Sequence, residues 1–343
     1  MSVLPKKPGN EGAAAGALNV IRNQLTPIAR FFGRHNLTEL WVNEPGRVWL
    51  RVAGKDPFTE PSADVTVDWA WDLCKYLANQ NGIKFDEKMP VLACRIPGGH
   101  RFQAVIGPNV ESRLAIAVRI KRSARYDYGH YGLRPNTKVV PPADLYSDKD
   151  ETAESHPIGT LEDLLHMVRI GKPIVLSGGT NTGKTSLLNV VVDGIPRNKR
   201  IVTIEDAREI DLPHENKLHI VISRTATGTD VDYATVINSI LRLSPDIVLL
   251  GEVSVDNAYP LLRLLNTGHG GFIGTIHANN PFEAIEALKR NIELNGHSSK
   301  GAVPFLARTI ARIVQVQIKD GEERRIVAIE RPADLDFRPL MEG

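Results

Sequence analysis

Eight residues from Gly178 to Thr185 carry the clearest chemical signal in the sequence. They read Gly-Gly-Thr-Asn-Thr-Gly-Lys-Thr, so a glycine is followed after four residues by Gly-Lys-Thr. Glycines let a backbone curl around phosphate oxygens with its N–H groups pointing inward. A lysine at this spacing meets the β- and γ-phosphates, and the threonine hydroxyl can bind Mg²⁺. The pattern predicts a binding loop for a nucleoside triphosphate.

The residues on either side of this loop fit the same role. Residues 173–176 form a short apolar run typical of a buried strand, and residues 184–192 have the apolar spacing of a helix. A helix that begins at the loop turns its positive N-terminus toward the phosphates. The predicted nucleotide-binding residues are Gly178, Gly179, Thr180, Asn181, Thr182, Gly183, Lys184, Thr185 and Ser186.

Acidic and histidine side chains follow three further apolar runs. These runs occupy residues 201–204, 247–250 and 272–276, and each is typical of a parallel strand covered on both faces. Glu205 and Glu209 come after the first run, Glu252 after the second and His277 after the third. Ligands of an open parallel sheet bind beyond the carboxyl ends of its strands, so we expect these side chains beside the phosphate loop.

The chemistry that these residues indicate is phosphoryl transfer to water. Hydrolysis needs Mg²⁺ on the phosphates, a carboxylate that holds the ion, and a second carboxylate that orients the attacking water. Glu252 is the predicted metal-side acid, directly or through water, with Thr185 as the other ligand. Glu205 or Glu209 would orient the water, and His277 would bond to the γ-phosphate. The alternative is that these acids are merely solvated at strand ends, and His269 would have a structural or subunit-contact role.

Composition bounds the remaining possibilities. The 343 residues, 42% apolar and 24% charged, are typical of a soluble globular protein with room for two domains. A net charge of +2 is too small to indicate nucleic-acid binding. Cys74 and Cys94 form neither a disulfide framework nor a zinc spacing, which favours a cytosolic protein. We find no apolar run of transmembrane length and no export signal.

Pattern changes along the chain predict four segments. Residues 1–17 form a flexible tail, and residues 18–122 a small α+β domain with an antiparallel sheet. A linker rich in Pro, Gly and Tyr spans residues 123–157. Residues 158–343 form an α/β domain with a mostly parallel sheet, which ends in a hairpin around residues 320–321.

With these residues in view, the chain resembles the secretion traffic ATPases, the RecA-like P-loop hexamers that power type II and type IV secretion, conjugation and pilus assembly. Four boxes match in order, at residues 178–185, 204–209, 241–252 and 267–279. In the N-terminal half, residues 42–46, 97–102 and 115–119 resemble segments of the VirB-operon type. The resemblance covers about residues 20–330.

The resemblance implies roles for particular residues and for partners. In that family the glutamate matching Glu209 polarises the attacking water, and the one matching Glu252 supports Mg²⁺. Arginines matching Arg101 and Arg119 reach from the N-terminal domain toward the γ-phosphate. The implied cofactors are ATP and Mg²⁺. The implied assembly is a homo-hexamer that works with other secretion-system proteins at the cytosolic face of the inner membrane.

Two positions depart from the family pattern. The family usually has an arginine two residues after the Walker B glutamate and an acid before the following alanine, and here these are Ser254 and Asn257. The change indicates a lost salt bridge at a subunit boundary, which concerns hydrolysis rate and ring coupling rather than binding. These departures keep open an ATP-gated scaffold with little turnover, and the shared fold leaves a nucleic-acid-stimulated motor as a second alternative.

Overall fold

The computed structural model describes residues 20–21, 23–121, 126–135, 138–139, 159–222, 231–267, 271–319 and 323–341. The predicted tail at 1–17, most of the predicted linker, His269 and the turn at 320–321 lie outside the described residues. The described residues up to 121 belong to one compact unit, and those from 126 onwards belong to a second. No helix in the described ranges is both long enough and apolar enough to cross a membrane.

The first unit is a six-stranded antiparallel sheet packed against helices, as the sequence predicts. Its elements are α1 (Thr26–Phe32), β1 (Leu37–Glu44), β2 (Arg47–Val52), β3 (Phe58–Pro61), α2 (Val67–Asn81), β4 (Val91–Ile96), β5 (His100–Ile106) and β6 (Leu114–Arg119). The strand order is β3-β2-β1-β6-β5-β4, and every neighbouring pair is antiparallel. One face of the sheet therefore packs on a core, and the other faces away from it.

Helix α2 forms this core through one apolar face. Thr66 caps its N-terminus by accepting a hydrogen bond from the Trp69 N–H at 3.0 Å. Leu73, Cys74 and Leu77 are completely buried, at helical spacing, against the sheet. Burial raises the pKa of the Cys74 thiol, so this cysteine is an inert core residue.

The second unit is an α/β domain around a seven-stranded sheet. Its strands are β7 (Ile174–Gly178), β8 (Ile201–Glu205), β9 (Lys217–Val221), β10 (Ile247–Leu250), β11 (Gly271–Ile276), β12 (Arg312–Lys319) and β13 (Glu323–Glu330). Its helices are α3 (Leu161–Arg169), α4 (Lys184–Val191), α5 (Tyr233–Ile240), α6 (Val255–Asn266), α7 (Pro281–Leu294), α8 (Ala302–Thr309) and α9 (Arg338–Met341).

The strand order of this sheet is β13-β12-β7-β11-β10-β8-β9. All neighbours are parallel except the terminal hairpin of β12 and β13. Every residue of β7, β8, β10 and β11 is buried, which explains their continuous apolar sequences. The predicted fold class, a mostly parallel α/β domain preceded by a smaller antiparallel α+β domain, is confirmed.

The parallel pairing fixes where the chemistry can occur. Strands β8, β10 and β11 run in the same direction as β7, so their carboxyl ends share one edge of the sheet with the phosphate loop. Helix α7 begins at this edge with a well-formed cap. For α7, the Asn280 side chain accepts the Glu283 N–H at 2.8 Å, and Pro281 occupies the first turn.

Candidate nucleotide site

The loop between β7 and α4 has the compact backbone that phosphate binding requires. Gly183 has a φ of 90° and is the N-cap of α4, where it offers no capping side chain. The first-turn N–H groups of α4 therefore remain available to an anion. At Gly178, a Cβ atom would lie 2.6 Å from Thr182 Oγ1 and 2.7 Å from the Val316 carbonyl oxygen. Only glycine fits that position.

Lys184 lies at the centre of this loop and is buried. Its Nζ donates to the carbonyl oxygens of Gly178 and Gly179, each at 2.8 Å, and lies 3.2 Å from His277 Nδ1. Because an ammonium group only donates, His277 Nδ1 must be the acceptor in the third contact. The loop thus holds a localised positive charge among its own carbonyl groups. A phosphate oxygen would be a stronger acceptor for the same protons.

His277 links Lys184 to the acid at the end of β10. Its Nε2 atom lies 3.8 Å from Glu252 Oε2, on the side of the ring opposite to Lys184. Three of the predicted site residues therefore form a chain of contacts, in the order Lys184, His277, Glu252. Both His277 and Glu252 remain partly exposed, with side-chain exposures of 44% and 39%. A ligand can reach both side chains.

The residues available for Mg²⁺ have suitable chemistry. Thr185 and Ser186 occupy the partly buried first turn of α4, and Glu252 follows β10 at the same edge of the sheet. Hydroxyl and carboxylate oxygens are the hard ligands that Mg²⁺ prefers, usually together with phosphate oxygens and water. The donor set fits the ion.

The backbone at Glu252 is fixed by Asn257, one of the two departures from the family pattern. The fully buried Asn257 donates through Nδ2 to the Glu252 carbonyl and accepts the Ser254 N–H through Oδ1, each at 2.9 Å. The amide thus satisfies two backbone groups at the start of α6. Asn257 therefore serves its own chain, and the lost salt bridge at a subunit boundary stays a prediction.

Their hydrogen bonds distinguish Glu205 from Glu209 as candidates for orienting the attacking water. Glu205 is 2% exposed, and its Oε1 accepts the backbone N–H groups of Glu209 and Ile210 at 2.6 and 2.7 Å. Its Oε2 accepts from Thr203 Oγ1 at 3.1 Å and from Arg208 Nη1 at 3.2 Å. Glu205 is therefore occupied in shaping the loop that follows β8. Glu209, held there by its backbone, is the better candidate for orienting water.

Arg101 and Arg119 belong to the first unit and are directly paired there. They are cross-strand partners on β5 and β6, and Arg95 on β4 pairs with Arg101. The same row continues through Glu39, opposite Arg119, to Arg51, which bonds to Glu39 at 3.2 Å. These side chains share the face of the sheet away from the core, since the buried residues of these strands alternate with them. The reach of Arg101 and Arg119 to a phosphate stays a prediction.

Sequence reasoning missed Tyr131 as a residue of the site. It lies in a short 3₁₀ turn, Tyr128–Tyr131, and its hydroxyl donates to the Gly183 carbonyl oxygen at 3.2 Å. Tyr131 is completely buried, which raises its pKa above the usual value and keeps the hydroxyl protonated as a donor. The residue falls in the segment predicted as a linker, and no local pattern distinguishes it.

An open pocket of about 560 Å³ lies beside the loop. It is lined by Gly179, Thr180, His277, Ala278, Asn279, Glu283, Glu286, Ala287 and Arg290. The start of the phosphate loop and His277 form one wall, and residues 283–290 of α7 contribute another. There is thus room for a bound molecule directly next to His277 and the start of the phosphate loop.

The class of the protein follows from this arrangement. A glycine-rich loop with a buried lysine, and acids delivered to the same edge of a mostly parallel sheet, define a P-loop ATPase. The comparison with known families narrows the class. Residues 144–336 match the profile of the family described as "Type II/IV secretion system protein". The chain belongs to this family, which confirms the resemblance drawn from the four boxes.

Individual relatives agree with that assignment. Protein VirB11 of Rhizobium radiobacter is 29% identical over 296 residues, which cover 82% of this chain and 83% of that protein. The type IV secretion system protein PtlH of Bordetella pertussis is 29% identical over 311 residues, or 87% and 91% of the two chains. The crystal structure of the ATPase DotB of Legionella pneumophila shares the fold. Its TM-score is 0.54 at 16% identity, over 100% of this chain and 87% of that one.

Proposed function

We propose that this protein hydrolyses ATP to ADP and phosphate, as an oligomeric ring that powers a type IV secretion, conjugation or pilus-assembly machine. The observation that carries the proposal is the chain of contacts from Lys184 through His277 to Glu252, beside the phosphate loop. It combines a cation for the phosphates, a hydrogen-bonding group for the terminal phosphate and an acid on the metal side.

Each residue has a distinct part in this proposal. Lys184 and the N–H groups of residues 178–186 bind the β- and γ-phosphates. Mg²⁺ would neutralise charge that develops on the phosphates, and Thr185 and Glu252 would hold it. Glu209 orients the attacking water, while Glu205 shapes the loop around it. His277, bonded to Lys184, forms a hydrogen bond to the γ-phosphate when that group is present.

The setting of the machine rests on family and relatives. We propose a homo-hexamer that contacts other secretion-system proteins at the cytosolic face of the inner membrane, because PtlH is named a type IV secretion system protein. A nucleic-acid motor is disfavoured by the net charge of +2. A scaffold without turnover is disfavoured because Asn257, one of the two departures that raised it, orders the backbone at Glu252.

The test is phosphate release by purified protein carrying single substitutions. Lys184→Ala should abolish turnover, and Glu252→Gln should retain ATP binding while losing hydrolysis. Lys199→Ala is the matched control, since Lys199 pairs with Asp246 just before β10 begins, at the opposite edge of the sheet. Full activity in Lys184→Ala would refute the catalytic assignment. Stimulation by DNA that weakens with salt would instead support the motor.

A further inference from the structure

The amide of Asn189 joins the helix after the phosphate loop to the loop that carries Glu209. Asn189 lies on α4, about one and a half turns beyond Lys184. Its Nδ2 donates to the Glu209 carbonyl oxygen at 3.1 Å, and its Oδ1 accepts the Asp211 N–H at 2.8 Å. The two partners fix the orientation of the amide, because one can only accept and the other can only donate.

The same loop is held from its other side by Glu205. The Glu205 carboxylate accepts the Glu209 N–H at 2.6 Å, while Asn189 holds the carbonyl group of the same residue. Both backbone polar groups of Glu209 are thus bonded to side chains, one from β8 and one from α4. The backbone of Glu209 has a fixed position relative to the helix that begins at Lys184.

This fixation matters for a reaction that depends on placement. In phosphoryl transfer the protein contributes mainly positioning and electrostatics, and the nucleophile must lie in line with the leaving oxygen. An acid that orients water has to keep its distance from a phosphate held at the N-terminus of α4. Within the described residues around this loop, Asn189 is the side chain of α4 that bonds to the Glu209 backbone.

We propose that Asn189 is a positioning residue for hydrolysis, which holds Glu209 in register with the phosphate-binding end of α4. The inference rests on the proposed function, and it goes beyond it by assigning a role outside the phosphate loop and the acids. Asn189 does not bind the nucleotide. It acts on the catalytic rate through the backbone of Glu209.

Two substitutions separate the contributions of the amide. Asn189→Leu keeps the approximate shape and removes both hydrogen bonds. Asn189→Asp keeps the acceptor for the Asp211 N–H but places a carboxylate against the Glu209 carbonyl. We expect kcat to fall about 10- to 100-fold in both variants, with the KM for ATP changed less than about twofold, because placement rather than binding is lost.

The pH dependence of Asn189→Asp gives a second readout. Once protonated, the introduced carboxyl group has one donor and one acceptor, as the asparagine amide uses here, so acid should restore the bond to the Glu209 carbonyl. The ratio of the variant's kcat to that of wild type should therefore rise as the pH is lowered from about 8 toward 5. The ratio for Asn189→Leu should stay flat. A ratio for Asn189→Asp as flat as that for Asn189→Leu would contradict a role of the bond to the Glu209 carbonyl.

Controls separate this inference from the proposed function. Asn81→Leu removes another amide that bonds to a backbone carbonyl, that of Leu77 at 2.7 Å in α2, and should leave kcat unchanged. Equilibrium binding of a fluorescent ATP analogue checks that each variant is folded. If Lys184→Ala is inactive but Asn189→Leu turns over like wild type, the Asn189 assignment is wrong. If wild type is no faster than Lys184→Ala, both proposals are wrong.

Discussion

At the scale of single residues, burial and hydrogen bonding separate acids that the sequence cannot distinguish. Glu205 and Glu209 belong to the same short acidic segment. Glu205 is buried and accepts four hydrogen bonds, from the N–H groups of Glu209 and Ile210 and the side chains of Thr203 and Arg208. Such a carboxylate stabilises local structure and has little capacity left for a water molecule.

We therefore predict that two conservative substitutions affect different properties, one the stability of the protein and the other its catalytic rate. Glu205→Gln should lower the free energy of unfolding by about 1–3 kcal/mol, because a buried charge-assisted acceptor beside Arg208 is lost. Glu209→Gln should leave stability nearly unchanged and reduce kcat by about 10²-fold or more. Urea denaturation and phosphate release measure the two quantities. Comparable stability losses in both variants would contradict the division of roles, and Glu215→Gln, an exposed position, serves as control.

At the scale of helices and strands, most of the second unit could be predicted because its signals are local. Buried parallel strands such as β8 and β10 consist of apolar residues, and the cap of α3 is visible in Thr160, which accepts the Asp163 N–H at 3.3 Å. Their common direction follows from the same pattern, since each strand delivers its polar residue to one edge, whereas their order in the sheet has no local signal.

Other elements escaped prediction for identifiable reasons. Strand β9 is only partly buried at the edge of the sheet, so its residues form neither a continuous apolar run nor a clear alternation. Helix α5 is rich in β-branched residues, and α6 contains Pro260, which normally argues against a helix interior. The contacts of Asn189 and Tyr131 could not be predicted, because they join segments distant in sequence.

His219 on strand β9 should make the stability of the protein depend on pH. His219 on β9 lies 2.9 Å from Thr203 through Nδ1. Burial lowers its pKa, and the positive charge of Arg208 lowers it further, against opposing effects of Glu205 and Asp211 and a supporting one of Lys217. The unfolded state therefore binds a proton more readily than the folded state. Stability should fall as the pH drops through about 6.5, the ordinary pKa of histidine.

Replacing His219 by glutamine removes this proton and leaves a side chain that can still bond to Thr203. The loss of unfolding free energy between about pH 8 and pH 5 should be smaller in His219→Gln than in wild type. Denaturant titrations at several pH values measure the difference. His297→Gln, at an exposed histidine, provides the comparison. An unchanged pH profile in His219→Gln would show that β9 does not contribute to acid sensitivity.

At the scale of the whole molecule, the question is whether one nucleotide is served by both units. The second unit supplies the phosphate loop, Glu252 and His277 on its own. The first unit presents Arg101 and Arg119 side by side on the face of its sheet away from the core. The two arginines are direct cross-strand neighbours, and Glu39 lies opposite Arg119 in the same row.

If these arginines act on the γ-phosphate, removing them should slow hydrolysis while the phosphate loop stays intact. An arginine that stabilises the transferred phosphoryl group contributes about 10³–10⁵ in rate, so Arg101→Ala and Arg119→Ala should each show a large loss of kcat. Arg51→Ala is the control, because Arg51 lies in the same row but bonds to Glu39. Light scattering with ATP checks that all variants assemble to the same mass. Normal turnover in both arginine variants would contradict a role of Arg101 and Arg119 at the γ-phosphate.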